Sequence, residues 1–443
     1  MRFRDLNLNK SLLSALDDLD IEVPTSIQEK TFSPIMAGQD VVGIAQTGTG
    51  KTYAYLLPCL KMWKFTKSPY PQVLIIVPTR ELVAQVVEEV EKLAKYISLE
   101  VAGAYGGTNI KTQKAEISVG VDVVVGTPGR LVDLLLDGVL KAKLIKRLII
   151  DEVDEMLNLG FRTQLNTILE FLPAKRQNLM FSATMPEEVE QIINNFTDYY
   201  TKIEAAPSGA PLENIEQYRY QIPNFNSKAN LLELLLKEDA EMQKVLVFVG
   251  TKKFADALYE RMEPNFQERV GVMHSSKSQN SRFNTVSKFQ DGTYQFIIAT
   301  DIIARGLDVS QVTHVVNFDL TDTAEKYIHR IGRTGRAEKK GIAISFVNEE
   351  EEKYKLEIED LMGMTIPLKA LPENLTISEE LIPLEEVEEF IPYNNHKMKT
   401  HTPSGDAFHE KIEKNKKVNN KIRHEDLMKK KYKKQYKKSR KRD

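Results

Sequence analysis

The segment AQTGTGKT, Ala45–Thr52, carries residue types that can hold a phosphate ester. It follows the apolar run VVGIA and precedes a helical pattern, which is the context that a phosphate-binding loop requires. Glycines let backbone N–H groups approach phosphate oxygens, and the helix N-terminus adds a favourable dipole. Lys51 is expected to reach the β and γ phosphates and Thr52 to ligate Mg²⁺; the alternative is an ordinary glycine turn. The loop residues predicted to bind a nucleotide are Ala45, Gln46, Thr47, Gly48, Thr49, Gly50, Lys51 and Thr52.

A second cluster, DEVD at Asp151–Asp154, directly follows the apolar run RLII. In a phosphate-loop fold, an acid at the end of a neighbouring strand holds the Mg²⁺ that bridges the terminal phosphates. Asp151 is predicted to take that role, directly or through water. Glu152 is predicted to orient or deprotonate the attacking water. Alone, DEVD could be a chance cluster of charges in a solvated loop, but the phosphate loop upstream favours the catalytic interpretation.

Short β-rich runs alternate with helical patterns and must position these two clusters. VVGIA, VLIIV, VDVVV, RLII and LMFSA predict buried parallel strands in the first half, and VLVFV, FIIAT, THVVNF and IAISFV repeat the pattern in the second. Between two strands of the first half, ELVAQVVEEVEKLAKY has the apolar spacing of a helix. This rhythm predicts an α/β fold with two parallel-sheet domains, at residues 1–204 and 215–370, joined by a linker at 205–214.

Composition limits the class of protein. Cys59 is the only cysteine, which excludes an internal disulfide framework and a thiolate zinc cage. Charges interrupt the apolar residues near the N-terminus, and no apolar run approaches the ~18 residues of a membrane helix. We therefore expect a cytoplasmic protein with no membrane partner.

The end of the chain differs from the rest in charge. Residues 371–392 hold seven Glu and no basic residue, and residues 411–443 hold 16 Lys and Arg against four Asp and Glu. Residues 371–443 are therefore predicted to be an acidic and then basic, largely disordered tail. Its final run, KKKYKKQYKKSRKR, interleaves lysine with Tyr432 and Tyr436, which suits binding of single-stranded RNA. The alternative is a solubilising end without a ligand.

The motifs and their order resemble the DEAD-box group of superfamily two RNA helicases. The match spans roughly residues 3–350 and adds, to AQTGTGKT and DEVD, the segments PTSIQ, PTREL, TPGR, SAT, VFVGTK, ATDIIARGLD and HRIGRTGR. The resemblance implies two tandem RecA-like domains, ATP and Mg²⁺ as cofactors, and RNA, single-stranded or in short duplexes, as partner. It also implies RNA-stimulated ATP hydrolysis, coupled to domain closure and to local duplex separation or ribonucleoprotein remodelling. Ribosome-assembly partners are one possibility that the sequence leaves open.

The resemblance also assigns roles by position. Phe3 and Gln28 are implied to read adenine, and Asp308 the ribose. Arg333 and Arg336 are implied to be arginine fingers supplied by the second domain, a role that guanidinium suits. The residues implied to couple hydrolysis to strand opening are Asp154, Ser182, Thr184 and His329. The residues implied to contact RNA are Pro78, Thr79, Arg80, Gly106, Gly107, Thr127, Gly129, Arg130, Thr251, Gln279, Arg282 and Thr300.

Some positions depart from the family pattern, and two rival functions remain. Val153 stands where the family usually has Ala, Asp20 and Ile21 replace a Gly-aromatic pair, and Ile303 replaces an Ala. None of these changes removes a predicted phosphate ligand. A DNA-directed motor would share the phosphate loop and the acids, and a non-hydrolysing ATP-dependent RNA clamp would share most of the motifs.

Overall fold

The computed structural model describes residues 1–46, 48–205, 214–301, 312–335 and 340–385. Within these ranges the chain forms two sheets, of seven and six strands, in which every pairing is parallel. The predicted parallel α/β fold is therefore confirmed. Most of the predicted linker and the tail from residue 386 onward lie outside the described residues.

The first sheet has the strand order β3-β4-β2-β5-β6-β1-β7. Its strands are β1 Val41–Ile44, β2 Val73–Ile76, β3 Val101–Ala104, β4 Val123–Gly126, β5 Arg147–Ile150, β6 Gln177–Ser182 and β7 Thr201–Glu204. The helices in this part of the chain are α1 Lys10–Asp18, α2 Ser26–Met36, α3 Lys51–Met62, α4 Arg80–Leu93, α5 Ile110–Val119, α6 Pro128–Leu136, α7 Val153–Asn158, α8 Arg162–Phe171 and α9 Glu187–Phe196. Val41 and Ile75 belong to one core, and Val42 and Ile76 to another. Alternate residues of the inner strands thus point to opposite faces of the sheet, and each face packs against its own hydrophobic core.

The second sheet has the order β10-β11-β9-β12-β13-β8. Its strands are β8 Ile215–Gln221, β9 Val245–Phe248, β10 Val270–Met273, β11 Phe296–Ala299, β12 His314–Asn317 and β13 Gly341–Val347. Its helices, within the described ranges, are α10 Phe225–Glu238, α11 Lys252–Phe266, α12 Gln279–Gln290, α13 Ala324–Ile331 and α14 Glu352–Met362. No helix in the part of the chain that the structure describes is long and apolar enough to cross a membrane.

The apolar runs of the sequence correspond to nine inner strands, and the predicted helix ELVAQVVEEVEKLAKY is α4. On that helix Val83, Val86, Val90 and Leu93 are buried, as their spacing predicts. Because all strands of a sheet are parallel, the loops that follow them gather at one edge, where α/β proteins usually bind their ligands. The two chemical clusters follow β1 and β5, so both lie at that edge of the first sheet.

A buried lysine braces the same edge of the second sheet. The Lys228 ammonium on α10 donates to Asp319 Oδ1 at 3.2 Å and to Glu351 Oε2 at 2.8 Å, and its side chain is only 3% exposed. Asp319 Oδ2 accepts a hydrogen bond from Gly250 N at 2.9 Å, and Glu351 Oε1 accepts one from Leu320 N at 2.9 Å. The cluster therefore ties α10 to the loops that follow β9, β12 and β13.

Residues 374–385, called the strap below, lie along α10. Asn230 and Asn226 donate their side-chain N–H groups to the carbonyls of Thr376 and Glu380, both at 2.9 Å. At the start of the helix, Phe225 N donates to Glu385 Oε1 at 2.6 Å. The apolar side chains Leu375 and Ile382 pack against the core of the second domain. The folded body therefore extends past the predicted boundary at residue 370, because apolar residues of this acidic stretch face the domain.

Candidate active site

The loop after β1 turns tightly into α3, and its glycines make that turn possible. Gly48 and Gly50 have φ of 82° and 86°, in the left-handed region that favours glycine. A Cβ on Gly50 would collide with the amide of Gln28. Gln28 Nε2 donates to Gly50 O at 3.0 Å, and Gln28 Oε1 accepts from Thr25 N at 2.9 Å. The predicted adenine-reading residue thus lies directly on the phosphate loop; Thr47 is outside the described residues.

Lys51 begins α3 and is buried, with 6% of the residue exposed. Its ammonium makes no hydrogen bond to the residues that the structure describes. A buried charge without a partner is costly, so this position favours an anionic ligand. Burial raises the pKa values of Asp151, Glu152 and Asp154, and the positive charge of Lys51 opposes this effect at all three.

The acids of DEVD lie at the end of β5 and are buried. Asp151 Oδ1 accepts from Glu152 N at 2.9 Å, and Asp151 Oδ2 accepts from the Tyr55 hydroxyl at 3.1 Å. Glu152 has φ of 52°, a left-handed conformation that is unusual for a residue with a side chain and is found at functional sites. Burial raises the pKa of Asp151 above its ordinary value. Burial also raises the pKa of Glu152 to about 7, although Lys51 and Arg333 oppose the shift, and a carboxyl with that pKa suits general-base catalysis near neutral pH.

The predicted coupling residues are brought together around Asp154. Its Oδ2 accepts hydrogen bonds from Thr184 N and Thr184 Oγ1, both at 3.0 Å, and its backbone N donates to Ser182 Oγ at 3.3 Å. His329 Nε2, from α13 of the second domain, lies 3.6 Å from the same Oδ2. Burial raises the pKa of Asp154, but His329, Lys51 and the Thr184 hydrogen bonds outweigh it, so that pKa lies below its ordinary value.

Arg333 approaches this centre from the second domain. It is 5% exposed, and its Nε donates to His329 O at 3.3 Å. Its charge lowers the pKa of Glu152, so its field reaches the acid that is predicted to act as the base. The other predicted arginine finger, Arg336, and the ribose contact, Asp308, lie outside the described residues. Phe3, predicted beside adenine, is packed in the core of the first domain and is 2% exposed.

Several predicted RNA contacts lie at helix N-termini on the ligand edge. Thr79 accepts from Leu82 N and caps α4, Thr251 accepts from Phe254 N and caps α11, and Thr127 precedes α6. Pro78 lies in the loop between β2 and α4, Gly129 is the second residue of α6, and Thr300 directly follows β11. Helix N-termini present free N–H groups and a positive dipole, which favour the phosphate groups of a nucleic acid.

The arginines of this group make contacts within the protein. Arg80 lies against the Gly106–Gly107 turn, where a Cβ on Gly107 would collide with its guanidinium. Arg130 donates to Gln113 Oε1 at 2.5 Å and to Thr108 O at 3.3 Å, which braces the same turn.

Two predicted RNA contacts of the second domain, both on α12, instead contact the first domain. Arg282 Nη2 lies 3.1 Å from Glu81 Oε1, and both side chains are buried. Gln279 Oε1 accepts from Arg80 Nη1 at 3.4 Å. These contacts join the two domains beside the predicted RNA edge, and the RNA roles of Gln279 and Arg282 stay predictions.

Comparison with known proteins identifies the family. The family profile described as DEAD/DEAH box helicase matches residues 25–192, and the one described as helicase conserved C-terminal domain matches residues 227–338. The DEAD-box ATP-dependent RNA helicase CshA of Geobacillus kaustophilus is 38% identical over 349 residues, which is 79% of this chain and 74% of that protein. The chain belongs to the DEAD-box family of ATP-dependent RNA helicases. It is thus an ATP-hydrolysing enzyme whose two sheets are RecA-like domains.

Two further likenesses support the DEAD-box assignment. The RNA helicase CrhR of Synechocystis is 38% identical over 371 residues, which is 84% of this chain and 74% of that protein. A solved structure of S. cerevisiae Dbp5 bound to RNA and ADP BeF3 has a TM-score of 0.75 at 29% identity and covers 83% of this chain and 95% of that one. The family, fold and enzyme class predicted from the motifs are therefore confirmed.

The residues predicted to hold the metal offer oxygen atoms that fit Mg²⁺. Magnesium is usually held by one or two carboxylates together with substrate phosphates. Asp151 supplies a buried carboxylate and Thr52 a hydroxyl, beside a lysine whose ammonium lacks a protein partner in the described ranges. In those ranges no group of three or more His, Cys, Asp and Glu could hold a metal ion by itself.

Sequence reasoning missed two residues of this site. Glu81 is an acid in PTREL that is 7% exposed and meets Arg282 of the other domain. Tyr55 is an aromatic of the phosphate-loop helix whose hydroxyl meets Asp151. Glu81 could have been recognised as unusual, because it is an acid in the first turn of a helix that is otherwise apolar on its buried face. Tyr55 could not, because it lies in the apolar run YAYLLP, where an aromatic residue is expected simply to pack in the core.

Proposed function

We propose that ATP is hydrolysed where the phosphate loop and DEVD of the first domain meet HRIGRTGR of the second. In this proposal the Lys51 ammonium binds the terminal phosphates, and Glu152 orients and deprotonates the attacking water. Arg333, together with Arg336, stabilises the charge that develops on the transferred phosphoryl group. Thr52 and Asp151 hold Mg²⁺, which neutralises charge on the phosphate oxygens when it is bound.

The contact between Asp154 and His329 is the observation that carries this proposal. It links the acids of the first domain, the SAT segment and the second domain through two buried side chains 3.6 Å apart. A site assembled from both domains is complete only when they are together, so ATP and RNA each favour the closed state and thereby each other's binding.

RNA is proposed to cross the edge where the strands of both sheets end. The N-termini of α4, α6 and α11 open at this edge and offer N–H groups to phosphates, a mode of contact that does not depend on base sequence. Dbp5, whose structure resembles this one, is bound to RNA. Ribonucleoprotein substrates, a cytoplasmic place of action and RNA binding by the Lys-rich tail remain proposals from sequence.

ATP hydrolysis by the full chain without nucleic acid, with single-stranded RNA and with DNA of the same sequence tests the proposal. We expect strong stimulation by RNA alone. Equal stimulation by DNA would indicate a broader nucleic-acid motor, and ATP binding without turnover would indicate a clamp.

The Glu152→Gln change provides the matching test of the base. The variant should keep binding ATP and RNA while turnover falls by about 10²–10⁴, which is the usual contribution of general-base catalysis. Unchanged turnover would contradict the role of Glu152.

A further inference from the structure

Tyr55 lies one helical turn after Lys51 and contacts Asp151, one of the proposed Mg²⁺ ligands. It is fully buried, and its ring packs on Phe181 of β6 with ring centroids 5.3 Å apart. Its hydroxyl donates to Asp151 Oδ2 at 3.1 Å. One buried phenol thus connects α3 to the end of β5.

The hydroxyl completes the hydrogen bonding of the Asp151 carboxylate. Oδ1 of that carboxylate is held by Glu152 N at 2.9 Å, and Oδ2 is held by Tyr55 at 3.1 Å. With a donor on each oxygen, the carboxylate has one preferred rotation about its Cβ–Cγ bond. Outer groups that orient a metal ligand in this way commonly determine metal affinity.

We propose that Tyr55 is a positioning residue, whose hydroxyl holds the Asp151 carboxylate in the orientation that receives nucleotide-bound Mg²⁺. This inference rests on the proposed function, because it takes Asp151 and Thr52 as the Mg²⁺ ligands. Tyr55 is fully buried and acts through Asp151. Packing alone does not explain the hydroxyl, since phenylalanine would fill the same space beside Phe181.

The chain offers a matched pair of variants on one helix. Tyr55→Phe removes the hydroxyl that faces Asp151. Tyr53→Phe removes a hydroxyl two residues away that donates instead to Glu89 Oε2 at 2.5 Å on α4. Both changes keep the aromatic ring, so their thermal unfolding can be compared directly with that of the parent protein.

The measurement is the binding of a fluorescent, non-hydrolysable ATP analogue to the full chain, once in EDTA and once across a Mg²⁺ titration. For Tyr55→Phe we expect the half-saturating Mg²⁺ concentration to rise about tenfold, the lower end of the effect usual for such outer groups. Its affinity for the analogue in EDTA should equal that of the parent. Tyr53→Phe should match the parent under both conditions.

Two results would overturn the inference. The first is an unchanged Mg²⁺ titration in Tyr55→Phe, and the second is an equal loss of affinity with and without Mg²⁺, which would indicate a packing role. An Asp151→Asn variant separates this failure from that of the proposed function. If Asp151→Asn alters the Mg²⁺ dependence and Tyr55→Phe does not, only the role of Tyr55 fails; if Asp151→Asn does not alter it, the metal assignment itself fails.

Discussion

The two domains each place a buried lysine near carboxylates at the edge where the strands end, but the two lysines have different surroundings. Lys228 donates to both Asp319 and Glu351, and these acids also accept backbone N–H groups. The Lys51 ammonium has acids nearby yet no hydrogen bond to the described residues. The same residue types therefore form a closed structural cluster in one domain and a site open to a ligand in the other.

Removing the lysine of the closed cluster should give the largest loss of stability. Lys228→Met leaves the buried carboxylate of Glu351 and the partly buried carboxylate of Asp319 without their cation, which should lower the free energy of unfolding by about 3 kcal/mol. Chemical denaturation measures this loss. The control is Lys237→Met on the same helix, which breaks an exposed pair with Glu233 and should cost less than about 1 kcal/mol. Equal losses in the two variants would contradict the comparison.

Removing the lysine of the open site should affect the reaction more than the fold. Lys51→Met is expected to lower RNA-stimulated ATP hydrolysis by about 10²–10³, because one preorganised partner of the phosphate charge is lost. No hydrogen bond to the described residues is broken, so the unfolding transition should move much less than in Lys228→Met. A steady-state ATPase assay and a denaturation curve on the same preparation measure both effects. A variant that unfolds as readily as Lys228→Met would show that Lys51 is structural.

Removing the strap should destabilise the second domain without changing Lys228, because the strap binds α10, the helix that carries Lys228. A chain ending after residue 370 should be less stable than one ending after residue 385 by about 2 kcal/mol, since several hydrogen bonds of about 0.5–1.5 kcal/mol each are lost. Thermal denaturation of the two truncated chains measures the difference. Identical melting curves would mean that the strap contributes nothing to the fold.

The pH dependence of ATP hydrolysis should reveal the titration of Glu152 in the open site. Because the pKa of Glu152 is about 7 and its deprotonated form is the proposed base, kcat/KM for ATP should fall about tenfold per pH unit below that value. The effect on stability has the opposite sign, because the folded state binds this proton more tightly than the unfolded state. The contribution of Glu152 to stability is therefore present at low pH and is lost as the pH rises through about 7. A flat kcat/KM between pH 5.5 and pH 7 would remove Glu152 from the role of base.

The inner strands could be predicted from the sequence, whereas the four edge strands could not. The continuous apolar runs identify strands covered on both faces, such as β2 and β9, whose residues are all buried. The strands β3, β7, β8 and β10 form the edges of the two sheets. Each of them has partly exposed positions, and β7, TKIE, has only one buried residue. An edge strand has less apolar surface to bury, so its pattern is too weak to recognise.

The candidate site likewise has a part that could be predicted from short motifs and a part that depends on contacts between residues distant in the sequence. The phosphate loop and DEVD are local motifs, and their chemistry follows from the order of residues. The partners that complete the site, Tyr55 with Asp151 and Arg282 with Glu81, come from distant parts of the chain. Lys228 and Glu351 are likewise separated by 123 positions. Such pairs depend on how the elements pack, which no short pattern contains.

The bond between Phe225 and Glu385 has a consequence for the order in which a new chain can fold. The first N–H of α10 finds its partner 160 residues later in the sequence. At typical rates of synthesis, about 5–20 residues per second, roughly 8–30 seconds separate the emergence of the two residues. The first domain can fold while that synthesis continues. Asn224 can cap α10 early through Ser227 N, but the Phe225 N–H lacks its Glu385 partner until nearly all of the second domain has left the ribosome.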